Sequence, residues 1–211
     1  MHLSDRIIDH YERHARAWDE DRQAGTGTDR IWLERFADHL PQGARILDTG
    51  CGSGKPIAEF MTVRGFAVTG VDSSPTMIAL CRERLPEHRW IIADMRKLAL
   101  GETFDGVLAW DSFFHLDTPD QRLMFEVFGR HASKAAILMF NAGPVAGEAV
   151  GAYRGDPLFH ASLAAEEYQS LLSRHGFKTI DHAVNDPEAG GRTVWLCKRP
   201  PNIPSPRWGE G

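Results

Sequence analysis

The chain has 211 residues, 42% of them apolar and 25% charged, enough to bury a full core without help from disulfides or metals. Its 24 basic and 29 acidic residues leave a net charge of −5 with no dense Lys/Arg block, so nucleic acid is not an expected partner. Three cysteines, Cys51, Cys81 and Cys197, form no C-x-x-C pair, which predicts reduced thiols. There is no signal-peptide core at the N-terminus and no apolar run approaches about 18 residues, so no membrane partner is expected and the cytoplasm is the expected compartment.

Helical spacing marks residues about 4–22 and 28–40, with Ile7, Ile8, Tyr11 and Trp18 on one side of the first and Ile31, Trp32, Phe36 and Leu40 on the second. His10 and His14 have the spacing of a helical metal pair, but no H-E-x-x-H arrangement supports them; both are read as surface residues, and no metal is expected. An apolar run then ends in Asp48 and enters a turn with Gly50, Gly52 and Gly54, whose missing Cβ atoms let a ligand lie against the backbone. A helix-like stretch follows over 55–64. The next run, Phe66 to Val71, ends in Asp72 and leads into Ser73-Ser74-Pro75; a third, Trp90 to Ala93, ends in Asp94-Met95; a fourth, Phe104 to Trp110, leads into Asp111 and His115. Pro119-Asp120-Gln121 opens a helix to about Ala132, and Ala135 to Phe140 gives a fifth strand. Residues 141–161, rich in Gly and Pro, are predicted as one long functional loop. Ser162 is the expected cap of a helix over 163–175, and strands at 177–181 and 193–197 complete the sheet, with Gly190-Gly191 in the turn between them. The proline-rich tail 200–211 is expected to be a flexible appendage.

The spacing of the glycine turn separates rival motifs. A dinucleotide fingerprint needs glycine at 55, where Lys55 stands; a phosphate loop needs glycine at 49 and a hydroxyl at 56, where Thr49 and Pro56 stand. What remains is D-x-G-x-G-x-G after a strand, and with its four ordered strand ends the chain resembles the Rossmann-like, class I S-adenosylmethionine-dependent methyltransferases of the bacterial small-molecule type. The resemblance implies an α/β fold with a seven-stranded, mostly parallel sheet, its last strand antiparallel and helices on both faces. It implies one domain over 1–199: N-terminal helices 1–42 covering the cleft, a cofactor-binding core 43–140 and a substrate-side loop 141–161.

The resemblance also distributes roles. S-adenosylmethionine would lie against Asp48, Gly50, Cys51, Gly52 and Gly54, with its ribose on Asp72 beside Ser73 and its adenine at Asp94 and Met95. Trp110 would close the site below, and Tyr11, Trp18 and Arg22 would cover it, Arg22 as a partner for the methionine carboxylate. Cys51 reads equally as a small side chain tucked beneath the turn, and Arg22 as a solvated helix-face residue. The chemistry expected is in-line methyl transfer to a small molecule, an oxygen nucleophile being the expected acceptor. His115 is the first candidate for a general base, followed by Asp111 and His160; a structural role for His115, bonding a backbone carbonyl, is the competing reading. Phe113, Phe114, Tyr153 and Phe159 are candidates for an apolar cleft wall. Glycine spacing alone leaves open a non-catalytic S-adenosylmethionine-binding module or another nucleotide-dependent enzyme, and the sequence says nothing of oligomeric state.

Overall fold

A computed structural model describes residues 3–23 and 27–201. The tail expected to be flexible lies, from residue 202 on, outside the described residues.

The chain begins with helix α1 (Ile7–Gln23), preceded by a 3-10 turn, and α2 (Arg30–Asp38). Five strands and three helices follow: β1 (Arg45–Thr49), α3 (Ile57–Val63), β2 (Ala67–Asp72), α4 (Pro75–Arg84), β3 (Arg89–Ile92), β4 (Phe104–Ala109), α5 (Thr118–His131) and β5 (Ala132–Ala142). These strands pair in parallel, and β1 and β4 are buried along nearly their whole length, as strands covered on both faces must be. The helices start where the sequence supplies caps. Ser74 Oγ accepts from the Met77 amide with Pro75 in the first turn of α4, and Asp117 accepts from the Asp120 amide at the start of α5.

The remaining elements are β6 (Gly147–Tyr153), β7 (Asp156–Ser162), α6 (Ala165–Arg174), β8 (Lys178–Asp186) and β9 (Arg192–Lys198). The main sheet has seven strands in the order β3-β2-β1-β4-β5-β9-β8, with β9 antiparallel to both neighbours. Because β1 lies between β2 and β4, successive crossovers leave it in opposite directions. A crevice therefore opens at the C-terminal ends of β1 and β4, the place where such sheets bind ligands.

Two sequence expectations are corrected. Residues 141–161 do not form a loop: β5 runs to Ala142, and β6 and β7 make a separate two-stranded antiparallel hairpin. Its turn is Arg154-Gly155, with φ of 50° and 88°, the left-handed pair that a two-residue hairpin turn requires. Ser162 is the last residue of β7, not a cap; its Oγ lies 3.1 Å from the Gly143 carbonyl, and α6 starts behind Ala164 without a side-chain cap.

Candidate functional site

A cleft opens over the ends of β1, β2 and β4, beneath α1. Gly50, Gly52, Asp72, Ser73, Asp94, Met95, Asp111 and His115 line it from the sheet side, and Tyr11 and Trp18 line it from α1. The sequence had brought these residues forward from separate motifs, and the fold puts them around one space.

The glycine turn is shaped for approach. Gly50 has φ 78°, and a Cβ there would sit 2.3 Å from Ser112 Cβ; Gly52 has φ 53° and faces open space. Asp72 closes the turn from below, its Oδ2 accepting from the Gly52 amide at 2.9 Å and its Oδ1 from the Ser74 amide at 2.9 Å. Each oxygen keeps a further lone pair for a hydroxyl. Burial raises the Asp72 pKa, while the backbone amides pull it back. Asp48 lies beneath the turn, 2% exposed, with Oδ2 unpartnered among the described residues. Burial first, and then the charge of Asp72, push its pKa up to about 7.

Five predicted contacts, Asp48, Cys51, Gly54, Trp110 and Arg22, do not line the main cleft. Gly54 backs onto Cys81 and Trp90, so that a Cβ would lie 3.3 Å from Cys81 Sγ. Cys51 is buried, its thiol directed at the Gly52 carbonyl and raised in pKa by burial; it packs beneath the turn, as the competing reading held. Trp110 lies below the cleft, its indole N–H donating to Asp29 Oδ1 at 2.8 Å. Both Cys51 and Trp110 border a small adjoining cavity that also touches Asp48, Arg22 and Lys55. Asp94 faces the cleft while bonded by Arg96 Nε at 2.9 Å to each oxygen; burial works against its charge, but the Arg96 bonds hold its pKa below the usual range.

The catalytic candidates separate sharply. His115 is 4% exposed, with Nδ1 2.9 Å from the Phe159 carbonyl and Nε2 2.6 Å from the Tyr11 hydroxyl. A carbonyl only accepts, so Nδ1 carries the proton and the Nε2 lone pair receives the Tyr11 O–H. Burial drives the His115 pKa down to about 3, fixing the neutral ring, and burial likewise raises the Tyr11 phenol well above its ordinary value. His115 thus bonds a backbone carbonyl on one side and the Tyr11 hydroxyl, which borders the cleft, on the other.

Asp111 is no base. It adopts φ 49°, an uncommon conformation for a residue with a Cβ, and Arg192 grips it with Nε and Nη2, each at 2.7 Å. Burial opposes its charge, but Arg192 and Arg22 hold its pKa below the carboxylate range. Arg22 reaches Asp111 at 3.1 Å and Asp29 at 3.4 Å, so its partners in this structure are protein carboxylates rather than solvent. His160 stacks 4.8 Å from the His115 ring but opens onto a different groove, with Phe114 and residues 142–149. Phe113 and Phe159 are core residues, 0% and 3% exposed, and do not wall the cleft.

Sequence reasoning missed Arg192, Asn141 and Asp29, which hold Asp111 and Trp110 in place; their partners lie up to 81 residues away, and no local spacing announces them. It also placed His10 and His14 at the surface. His10 is 2% exposed, because the hairpin, unseen in the sequence, covers it, and His14 bonds Asp156 on that hairpin at 2.8 Å.

Strand order, switch-point cleft, glycine turn and the acids closing β1 and β2 together define a class I, Rossmann-like methyltransferase fold. The open face of Gly52, the remaining acceptor capacity of Asp72 and the orphaned oxygen of Asp48 fit S-adenosylmethionine, whose ribose hydroxyls and ammonium group are donors. Comparison with known proteins agrees: residues 46–134 match a family described as a methyltransferase domain. Magnesium-protoporphyrin O-methyltransferase of Rhodobacter capsulatus is 34% identical over 112 residues, 51% of this chain and 49% of that protein. The chain spans about half the length of the first curated relatives it matches. Among solved structures it is similar to S-adenosylmethionine-bound CalS10 of Micromonospora echinaspora, an amino pentose methyltransferase, with a TM-score of 0.68, 21% identity and coverage of 87% and 95% of the two chains. It is also similar to 1,6-didemethyltoxoflavin-N1-methyltransferase of Burkholderia thailandensis, with a TM-score of 0.71, 18% identity and coverage of 94% and 87%. Among the described residues no helix is long and apolar enough to cross a membrane.

Proposed function

We propose that the chain transfers a methyl group from S-adenosylmethionine to a hydroxyl of a small-molecule acceptor held between α1 and the end of β4. The observation that carries this reading is the Tyr11–His115 pair, 2.6 Å apart, on the same cleft as Asp72 and Gly52. Bound S-adenosylmethionine supplies an electrophilic sulfonium methyl whose positive charge disappears on transfer. Asp72 would take the ribose hydroxyls, Asp48 would lie toward the ammonium group, and Asp94 and Met95 would border the adenine. Arg22, at the edge of the adjoining cavity, would meet the carboxylate.

The protein's share of the chemistry is alignment, which is worth roughly 7–11 kcal/mol when attack geometry is held, and disposal of one proton. The Tyr11 oxygen can accept the acceptor's hydroxyl proton while its own proton passes to His115 Nε2. The imidazolium formed returns one positive charge to the cleft, opposed chiefly by burial and favoured by the Phe159 carbonyl and the field of Asp111. Several curated relatives are named O-methyltransferases, which supports oxygen as the atom methylated. The cytoplasm and a single domain over 1–199 belong to the same reading.

The test is calorimetric titration with S-adenosylmethionine and S-adenosylhomocysteine, followed by a screen of hydroxylated acceptors with a labelled methyl donor. Asp72→Asn keeps the shape of the turn but loses the charged acceptor, and should weaken both adenosyl ligands about thirtyfold, the equivalent of about 2 kcal/mol. Folded protein that binds neither ligand would overturn the reading; binding without transfer to any hydroxyl, but with transfer to amines, would move the acceptor to nitrogen.

A further inference from the structure

The contact between α1 and the β6–β7 hairpin lies outside the cleft and holds a donor set that methyl transfer does not use. His10 and His14 project from one side of α1, and Asp156 opens β7. One ring nitrogen of each histidine and a carboxylate oxygen of Asp156 lie within 4.8 Å of one another. His14 Nε2 is already 2.8 Å from Asp156 Oδ2, and the two imidazoles are 4.8 Å apart by centroid. Tyr153, at the tip of the hairpin, packs edge-on against both rings, at 6.0 and 5.6 Å. His10 is the informative member. It is 2% exposed, yet its Nε2 has no partner among the described residues, and a buried polar atom left unbonded calls for an explanation.

We propose that His10, His14 and Asp156 bind a divalent transition-metal ion of the zinc class, which clamps the hairpin onto α1. Two imidazoles and one carboxylate, with water in the fourth position, are a donor set zinc accepts, at roughly 2.0–2.2 Å from each atom. Tetrahedral ligands at that distance stand roughly 3.4 Å apart, so modest side-chain rotations draw the present set together. Burial and the neighbouring His14 lower the His10 pKa, which leaves its ring neutral and ready to ligate. Arg13 also bonds Asp156 Oδ2, at 2.7 Å; its side chain is 59% exposed and free to turn into solvent when an ion takes that oxygen. Its charge tempers the affinity, which is expected in the micromolar range.

The clamp fixes α1, whose Tyr11 and Trp18 line the cleft, to the hairpin. An effect on cofactor release rests on the methyltransferase reading; metal binding does not. Tag-free, chelator-stripped full-length protein is therefore titrated with Zn²⁺ by calorimetry and with Co²⁺ by visible absorption. The expected result is one ion per chain and four-coordinate cobalt bands, with affinity reduced at least tenfold in His14→Gln and in Asp156→Asn. Both substituted side chains are partly exposed, so these variants should fold, as circular dichroism would show; His10→Gln is a third probe. Absence of saturable binding, or equal affinity in the His14 and Asp156 variants, overturns the proposal. Metal binding by a protein that binds no adenosyl ligand would retain this site and sink the methyltransferase reading.

Discussion

Asp48 is held in an expensive state. A carboxyl group 2% exposed, with one oxygen unbonded and Asp72 nearby, is half protonated near neutrality because its pKa lies at about 7. A cationic ligand group beside it favours the carboxylate and lowers that pKa. Binding of S-adenosylmethionine should then release close to half a proton at pH 7 and almost none at pH 9, and affinity should rise with pH until it levels off above about 7. Calorimetry in buffers of different ionisation enthalpy measures this directly, and Asp48→Asn should remove the buffer dependence. The sign for stability runs the other way. The folded pKa is above the unfolded value, so the protonated group's contribution is complete below about pH 4 and is lost as pH rises through 7. Asp48→Asn should accordingly raise the melting temperature at pH 8 and leave it nearly unchanged at pH 4.5. A binding heat independent of buffer, with a pH-independent effect of the substitution, would mean that Asp48 does not titrate near neutrality.

At the scale of elements, Arg192 is the bolt of the site. It stands at the start of β9, yet it grips Asp111 at the end of β4, reaches Asp29 at the start of α2 at 3.4 Å, and lies over the Trp110 ring. Asp29 and Asp111 are 8% and 14% exposed, and among the described residues Arg22 would be the cation left to both if Arg192 were removed. Uncompensated buried carboxylates are costly. Arg192→Ala should lose about 2–4 kcal/mol, a fall of roughly 5–15 °C in melting temperature for a chain of this size. Arg192→Lys should recover little of it, because an ammonium cannot form the two-pronged bond. A thermal melt of the two variants decides; full recovery with lysine would show that charge alone matters. None of this could be read from the sequence. The parallel core was legible because its first three strands run into an acid at their C-terminal tips: Asp48, Asp72 and Asp94 sit where a local pattern placed them. The hairpin was not legible, because Arg154-Gly155 adopts the left-handed pair without the usual Asn-Gly signal and β6 is exposed along its length, without apolar alternation. With the hairpin hidden, the burial of His10 and the arrival of Asp156 beside His14 were hidden too. The ion pair of Asp111, in sequence a candidate base, was hidden because its partner is an arginine 81 residues further on.

The whole molecule divides into a rigid floor and a cover attached by polar contacts. Both hydrophobic clusters are built from the main sheet and helices α2 to α6, and neither contains a residue of α1. Instead α1 is held by hydrogen bonds and ion pairs: Glu12 on the Thr76 hydroxyl at 2.7 Å at the start of α4, Asp19 on Arg84 with two bonds of 2.6 Å, His14 on Asp156, and Tyr11 on His115. Such attachments are worth far less than buried apolar area, and the exposed ones weaken in salt. The amides of α1 should therefore exchange with solvent through a local opening, at least about tenfold faster than those of β4 and β5. Raising the salt to about 1 M should widen that gap. A ligand lying between Tyr11 and Asp72 cannot be retained with α1 lifted, so the open state must release it first. Saturation with S-adenosylhomocysteine at a hundred times its Kd should then slow exchange in α1 about a hundredfold, the linkage expected when only the closed form binds, with little change at the centre of the sheet when exchange there is already limited by other openings. Hydrogen exchange read by mass spectrometry resolves these segments. Exchange of α1 in step with β4 and β5 would make the helix part of the floor, whereas fast exchange that the ligand leaves untouched would place the bound cofactor clear of α1, and would remove Tyr11 from the reaction.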